Sequence, residues 1–171
     1  VTKTDRIFII IASAMMIIAP FLTWMKATTL YGPASFNGIL GIFNMSGFWF
    51  YVQKIGGWVI PVSVYLTAAM AVISLVLGIM VMLTLFGKAP SEDVYVQKLK
   101  KVLRLNAIPF GIFLLVVLIS LIGQRIPFGE HLGIDEIDSR YSVVTLVQLS
   151  SVGFWLSVFG FILNYNKSKE I

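Results

Sequence analysis

The sequence predicts an all-α membrane protein, a bundle of four transmembrane helices with both the N- and the C-terminus on the cytoplasmic side. Three observations favour this fold. Of the 171 residues 58% are apolar and 12% are charged, about half the charge of a typical soluble domain. The apolar residues are gathered into long runs without charge, which is typical of membrane spans. Lysine and arginine are concentrated on one side of these runs, as in cytoplasmic loops.

Charged residues divide the chain into apolar runs of membrane-spanning length. The first run, between Arg6 and Lys26, has 19 residues, and as a helix it would measure about 28 Å, close to the thickness of the hydrocarbon core. Ala12-Ser13-Ala14 resembles a signal-peptide cleavage site but follows too few apolar residues, so we interpret this run as a membrane helix. The predicted single membrane domain, 1–171, has spans near 7–25, 58–86, 106–123 and 141–164, outer loops at 26–57 and 124–140, and a cytoplasmic loop at 87–105.

The distribution of basic residues sets the predicted orientation. Four spans place nine lysines and arginines on one face of the membrane and four on the other, and the richer face is expected to be cytoplasmic. The nine are Lys3, Arg6, Lys88, Lys98, Lys100, Lys101, Arg104, Lys167 and Lys169, and the four are Lys26, Lys54, Arg125 and Arg140. A fifth span within 27–53 would weaken this bias and would contain several glycines and asparagines, so four spans are predicted.

The residue types needed for catalysis or for a bound cofactor are scarce. The chain has no cysteine and one histidine, His131, and no charged residue falls inside a predicted span. We therefore expect no catalytic residues, no cofactor, no metal site and no ion-coupled transport by this chain alone. The second outer loop gathers acidic side chains around His131 in a spacing that matches no ligand pattern, so a solvated loop is expected and cation binding is left open. These acids are Glu130, Asp135, Glu136 and Asp138.

Two stripes of small residues mark candidate helix-packing surfaces. Their members are spaced by three or four residues, so each stripe lies along one face of a helix, where two backbones can approach closely. The stripe of the second span is Thr67, Ala71, Ser74 and Gly78, and that of the fourth span is Ser150, Gly153, Ser157 and Gly160. We expect the second and fourth spans to pack against each other through these stripes, and the bulky third span to face lipid or another subunit.

The first outer loop is rich in aromatic residues. The segment from Trp24 to Trp58 holds nine of the 23 aromatic residues of the chain. One interpretation is an aromatic belt at the depth of the lipid headgroups, and the other is a docking surface for a partner. The candidate interaction residues are Phe43, Phe48, Trp49, Phe50 and Tyr51. Asn44 begins a glycosylation sequon whose use the sequence leaves open.

The cytoplasmic loop predicts a short basic helix at the membrane interface between the second and third spans. Ser91 is a suitable N-cap, and two acidic residues follow it. One face of the helix is apolar and the other carries Lys98, Lys100, Lys101 and Arg104, which we expect to contact lipid headgroups. Simple anchoring by positive charge explains the same pattern without specific lipid recognition.

The layout resembles that of the claudin and peripheral-myelin-type tetraspan proteins. Trp24 and Gly47-Phe48-Trp49 are similar to the tryptophan and the Gly-Leu-Trp motif in the first loop of that family. The resemblance implies four helices with cytoplasmic termini and a longer first outer loop. The cysteine pair that follows the motif in that family is missing here, and we assign no family on these few residues.

Composition and motifs together favour a non-enzymatic protein of the cell (cytoplasmic) membrane. We expect an accessory or scaffold subunit whose partners are the lipid bilayer and other membrane subunits or further copies of itself, without nucleic acid. The alternative is a small channel or carrier for apolar or small molecules. An enzyme that uses the acidic outer loop ranks third.

Overall fold

The fold of the chain is mostly helical. A computed structural model describes residues 1–29, 32–38, 59–122, 124–125, 140–141, 147 and 150–171. Within these residues the helices are α1 (Lys3–Ile18), α2 (Val59–Phe86), α3 (Glu92–Arg104), α4 (Ala107–Ile122) and α5 (Val152–Glu170). Two short antiparallel pairs join β1 (Thr23–Thr29) to β2 (Gly32–Asn37) and β3 (Gln124–Arg125) to β4 (Arg140–Tyr141).

Helix α1 has a defined start and a defined end. At its start the Thr2 side chain accepts a hydrogen bond from the Asp5 backbone N–H while the Asp5 carboxylate accepts one from the Thr2 backbone, a capping box. At its end the chain makes one 3₁₀ turn, Ala19–Phe21, and then becomes extended at Leu22. Pro20 lies in this turn, and because proline has no backbone N–H it cannot continue the helical hydrogen-bonding pattern. The helix therefore ends before residue 25, where the sequence predicted it to end.

A β-bulge directs Trp24 into the helical bundle. The pairing of β1 with β2 shifts register between Thr23 and Met25, and such an extra residue redirects a side chain. The Trp24 ring is fully buried, and its Nε1–H donates a 2.6 Å hydrogen bond to the carbonyl oxygen of Ala19. The Phe154 ring of α5 meets it edge to face, with the ring centres 6.0 Å apart. Trp24 thus joins the strand to two helices.

Helices α1, α2 and α5 form the centre of the bundle, with α2 and α5 both antiparallel to α1. Ala19, in the turn directly after α1, faces Gly153 near the start of α5, while Asp5 near the beginning of α1 pairs with Lys167 near the end of α5. Helix α4 packs beside α2 and α5, and its Phe113 ring lies 6.0 Å from that of Phe154. The main core cluster combines residues of α1, α2, α4, α5 and β1.

A second core cluster lies at the other end of the bundle. We name this end, which holds the start of α1, the end of α2 and all of α3, the basic end. The predicted helix between the second and third spans is present as α3, and the Ser91 side chain caps it by accepting a hydrogen bond from the Val94 N–H. Its apolar face is covered by protein, because Leu99, Val102 and Leu103 are buried in a cluster with residues of α1 and α2. The apolar face is therefore not available for insertion into a bilayer. The predicted position of this helix in the membrane interface required that face to be free.

Among the described residues, three helical segments are long and apolar enough to cross a membrane: Lys3–Phe21, Tyr65–Phe86 and Glu92–Ile122. The fourth predicted span, 141–164, differs from the structure more than the other three predicted spans do. Residues 140–141 belong to β4, and α5 begins at Val152, eleven residues after the predicted start at 141. The cause is non-local, because the Ser151 N–H donates to the Trp24 carbonyl oxygen at 2.8 Å and Ser150 bridges Met25. The chain thus pairs with β1 before it enters α5.

Replacing Trp24 by phenylalanine should lower the free energy of unfolding by about 1–3 kcal/mol. The change removes a buried hydrogen bond and leaves space beside Gly153. Phe159→Leu, which shortens an aromatic side chain that is 54% exposed on α5, is the control and should cost much less. Unfolding of the purified protein in detergent micelles measures both, and equal losses would contradict the role of Trp24.

Candidate functional site

The small-residue stripe of α2 lies inside the protein, and its members Ser74 and Gly78 face α1. All four members, Thr67, Ala71, Ser74 and Gly78, are buried. A Cβ placed on Gly78 would lie 2.8 Å from Cγ1 of Ile17 and 3.0 Å from the carbonyl oxygen of Ser13. Any side chain at residue 78 would therefore push α1 away from α2.

The stripe of α5 faces the same helix from the other side. A Cβ on Gly153 would lie 2.7 Å from the carbonyl oxygen of Ala19, and one on Gly160 would lie 2.8 Å from that of Ala12. Ser150 lies before the helix, where its hydroxyl accepts a hydrogen bond from Trp155 Nε1 at 2.8 Å and donates one to the Val147 carbonyl oxygen. The stripe members of α5 thus approach α1 at two successive levels.

Gly78 of one stripe and Gly160 of the other both lie against α1, a helix that the predicted pairing of the two stripes did not include. The two stripes also meet each other directly at Ser74 and Ser157. There the Ser157 hydroxyl donates a 2.5 Å hydrogen bond to the Ser74 hydroxyl. Helices of this kind gain dispersion contacts and weak Cα–H···O contacts from close backbones, so α1 is the shared surface for both.

A backbone carbonyl of α1 completes this contact between the serines. Ser74 Oγ donates a 3.1 Å hydrogen bond to the Met16 carbonyl oxygen. In an uninterrupted helix that oxygen would accept from the N–H of residue 20, but residue 20 is proline. Ser157, Ser74 and Met16 thus form a hydrogen-bonded chain across α5, α2 and α1, which we name the serine relay.

Sequence reasoning missed Asn164, which extends the α5 stripe by one helical turn beyond Gly160. Its side chain is fully buried, and its Nδ2 lies 3.3 Å from both the Ser13 hydroxyl and the Met16 sulfur, as a donor to each. Its Oδ1 has no hydrogen-bond partner in the described part of the chain. The spacing of four from Gly160 was the available signal that this amide belongs to the same face.

An ion cluster ties α1 to α5 at the basic end. Lys167 Nζ lies 2.9 Å from the Asp5 carboxylate, and it also pairs with Glu170. The hydrogen bond to Glu170 has the larger effect and the hydrogen bond to Asp5 the smaller, and both raise the pKa of the Lys167 ammonium above its usual value. The ammonium lies 5.3 Å from the centre of the Phe8 ring as well. The cluster holds the two helices in register where the small-residue stripe ends.

The predicted headgroup contacts divide by exposure. Lys98, Lys101 and Arg104 are exposed, whereas Lys100 is half-buried. Contact of these four residues with lipid remains a prediction. The aromatic interaction residues Phe43, Phe48, Trp49, Phe50 and Tyr51 lie outside the described residues, as do Asn44 and the acidic loop from Glu130 to Asp138.

A cleft of about 430 Å³ opens at the basic end, between the start of α1 and the loop that joins α2 to α3. Its lining mixes charges and apolar groups, including Arg6, Phe86, Glu92 and Tyr95. The Tyr95 hydroxyl already donates a 3.0 Å hydrogen bond to the Leu85 carbonyl oxygen, and the Arg6 guanidinium lies 5.8 Å from the Tyr95 ring centre. Within the described ranges, no three histidine, aspartate or glutamate side chains gather as a metal site would require.

Adding one methyl group at the α1 contacts should destabilise the bundle. Gly160→Ala places a Cβ against a carbonyl oxygen of α1 and Gly153→Ala places one against that of Ala19 in the following turn, and each should cost about 1–3 kcal/mol. Gly111→Ala in α4 is the matched control and should cost nothing, because no atom lies within 4 Å of its Cβ position. Unfolding in detergent micelles measures all three, and an unchanged Gly160→Ala would mean that α5 does not lie this close to α1.

Comparison with protein families, with curated proteins and with solved structures finds no match to this chain.

Proposed function

We propose that the chain is an integral membrane protein of four transmembrane helices that serves as a non-enzymatic accessory or scaffold subunit of a membrane assembly. In the part of the chain that the structure describes, three helical segments are apolar enough to cross a membrane. Their outward faces carry large apolar side chains at high exposure, such as Leu83 at 70%, Leu121 at 67% and Ile122 at 64%. Apolar surface of this kind is stable in hydrocarbon and costly in water.

The pairing of α5 with α1 supports a fourth span. The uncharged part of α5, from Val152 to Asn166, would measure about 22 Å as a helix, short of a bilayer by itself. It nevertheless follows α1 from Ala19 to Asp5. A hydrocarbon layer crossed by α1 would therefore be crossed by α5 too.

The location of the basic residues supports cytoplasmic termini. The described starts and ends of α1, α2, α3 and α5 bring the nine basic residues that the sequence assigned to one face to the basic end of the bundle. The described basic residues at the other end are Lys26, Arg125 and Arg140. This asymmetry is expected when the basic end lies in the cytoplasm.

The close packing around α1 is the observation that carries the proposed scaffold role. Helices are held together by the buried hydroxyl groups of Ser74 and Ser157 and by the glycines of the two stripes. Among the described residues, Gly78 and Gly160 leave less than 3.0 Å for a Cβ beside atoms of α1, and Gly153 leaves as little beside Ala19 and Trp24, so little room exists for a solute between α1, α2 and α5. A channel or carrier, the alternative, would need a path other than the one between these three helices, and the outer surface is the better candidate for interaction.

Cysteine labelling tests the topology. Ser35, Ser91 and Lys169 are exposed, and the native chain has no cysteine. Ser35→Cys should react with a membrane-impermeant thiol reagent added outside intact cells. Ser91→Cys and Lys169→Cys should react only after the membrane is opened. Labelling of residues 35 and 91 from the same side would contradict the four-span arrangement.

The size of the native particle tests the scaffold role. After gentle extraction the 19.0 kDa chain should elute with further subunits or as an oligomer, identified by mass spectrometry of the sized particle. Phe48→Ala combined with Trp49→Ala should release these partners if the aromatic loop holds them, while Ser35→Ala, the control on β2, should keep them. A strictly monomeric wild-type particle would overturn the proposal.

A further inference from the structure

The face of α3 that remains exposed continues directly into the exposed face of α4. The two helices are joined by one tight turn, in which Leu105, Asn106 and Ile108 each donate a backbone hydrogen bond to the residue three positions earlier. Together they form one helical segment, Glu92–Ile122, of 31 residues. No loop separates the two helices at this junction.

One stripe of exposed residues runs along this segment. Its members follow one another at alternating spacings of three and four, which places them along one side of a helix. They are Lys101, Arg104, Ile108, Gly111, Leu115, Leu118 and Ile122, and each is exposed. The stripe is basic at its beginning and apolar afterwards, which is the polarity of a phospholipid read from headgroup to acyl chain.

Gly111 leaves an open notch in the apolar part of the stripe. No atom lies within 4 Å of the position that its Cβ would take, whereas Ile108 and Leu115 on either side are 53% and 45% exposed. The distance along the helix from Arg104 to Leu115 is about 17 Å, close to the hydrocarbon depth of one leaflet, about 15 Å. An acyl chain that passes along the notch and ends near Leu115 would therefore have its phosphate at the level of Arg104.

The charges beside this level favour an anionic headgroup. Arg104 and Lys101 can donate several charge-assisted hydrogen bonds to a phosphate. In the described part of the chain no carboxylate forms an ion pair with either. The acidic residues of the same helix, Glu92 and Asp93, precede Lys101 by eight residues or more, about 12 Å along the axis.

We propose that the stripe from Lys101 to Leu118 binds one anionic phospholipid, with its phosphate on Lys101 and Arg104 and an acyl chain in the notch at Gly111. The burial of the apolar face of α3 within the protein supports this placement, because it leaves the basic face as the part of α3 that can meet lipid. The inference rests on the proposed membrane location and adds to it a defined lipid site, which excludes the half-buried Lys100.

Native mass spectrometry with two lipids tests this site. The protein is equilibrated in detergent with equal amounts of phosphatidylglycerol and phosphatidylcholine, and the retained lipid is counted. The wild type should retain phosphatidylglycerol preferentially. The variant Lys101→Gln/Arg104→Gln should lose this preference by about 5-fold for each charge removed, as expected for basic residues near anionic lipid.

Two further variants separate the site from general attraction by charge. Lys3→Gln/Lys88→Gln removes the same charge from exposed residues of the basic end and should keep the preference. Gly111→Leu keeps every charge but fills the notch, and it should lower the retention of phosphatidylglycerol without lowering the unfolding midpoint, because leucine is the better helix former.

Three results would overturn the proposal. The first is a wild type without preference between the two lipids, and the second is an equal loss in both charge pairs. Unchanged retention in Gly111→Leu would overturn the placement of the acyl chain. Cysteine labelling distinguishes these failures from failure of the membrane topology, because a correctly inserted chain without lipid preference contradicts the lipid site alone.

Discussion

The Met16 carbonyl oxygen is the group on which the arrangement of the three central helices depends. Pro20 removes the N–H that would satisfy it, and a buried carbonyl without a partner costs free energy, most of all in hydrocarbon. Ser74 of α2 supplies the missing donor, and Ser157 of α5 donates to Ser74. One proline thus gives α1 an acceptor on its surface, and short side chains from two other helices meet there.

The glycines follow from the shortness of the serine side chain. A hydroxymethyl group reaches a backbone carbonyl of another helix only if the two backbones lie close together, and close backbones leave no room for side chains at the neighbouring levels. Gly78 lies one turn from Ser74, and Gly160 lies one turn from Ser157. Each would carry its Cβ within about 3 Å of atoms of α1. The stripes and the serine relay are therefore one packing solution.

The sequence predicted the helical fold and the buried faces better than it predicted their partners. The spacing of Thr67 to Gly78 identifies a face where backbones can approach, but it carries no information about which helix approaches. Pro20 was the one local sign of an unpaired carbonyl on α1. The start of α5 could not be read from hydropathy, because it is set by the pairing of Ser150 and Ser151 with Met25 and Trp24, more than 120 residues earlier. Asn164 was hidden by its polarity within an apolar helix.

Because the centre of the bundle is closely packed, its outer surface is the candidate for interaction. The hydroxyl groups of Ser74 and Ser157 and the amide nitrogen of Asn164 bind groups of α1 or of each other, so these polar groups of the centre are engaged in holding the fold. The basic face of α3 and the exposed face of α4 carry no such internal role, since the apolar face of α3 already contributes to the second core cluster. Helix α3 is covered by protein on its apolar side and bears positive charge on the other side. Its orientation is thus fixed by contacts within the protein. Its charges therefore meet the surroundings at a fixed level and angle, which is the condition for recognising one lipid or partner rather than a whole membrane surface.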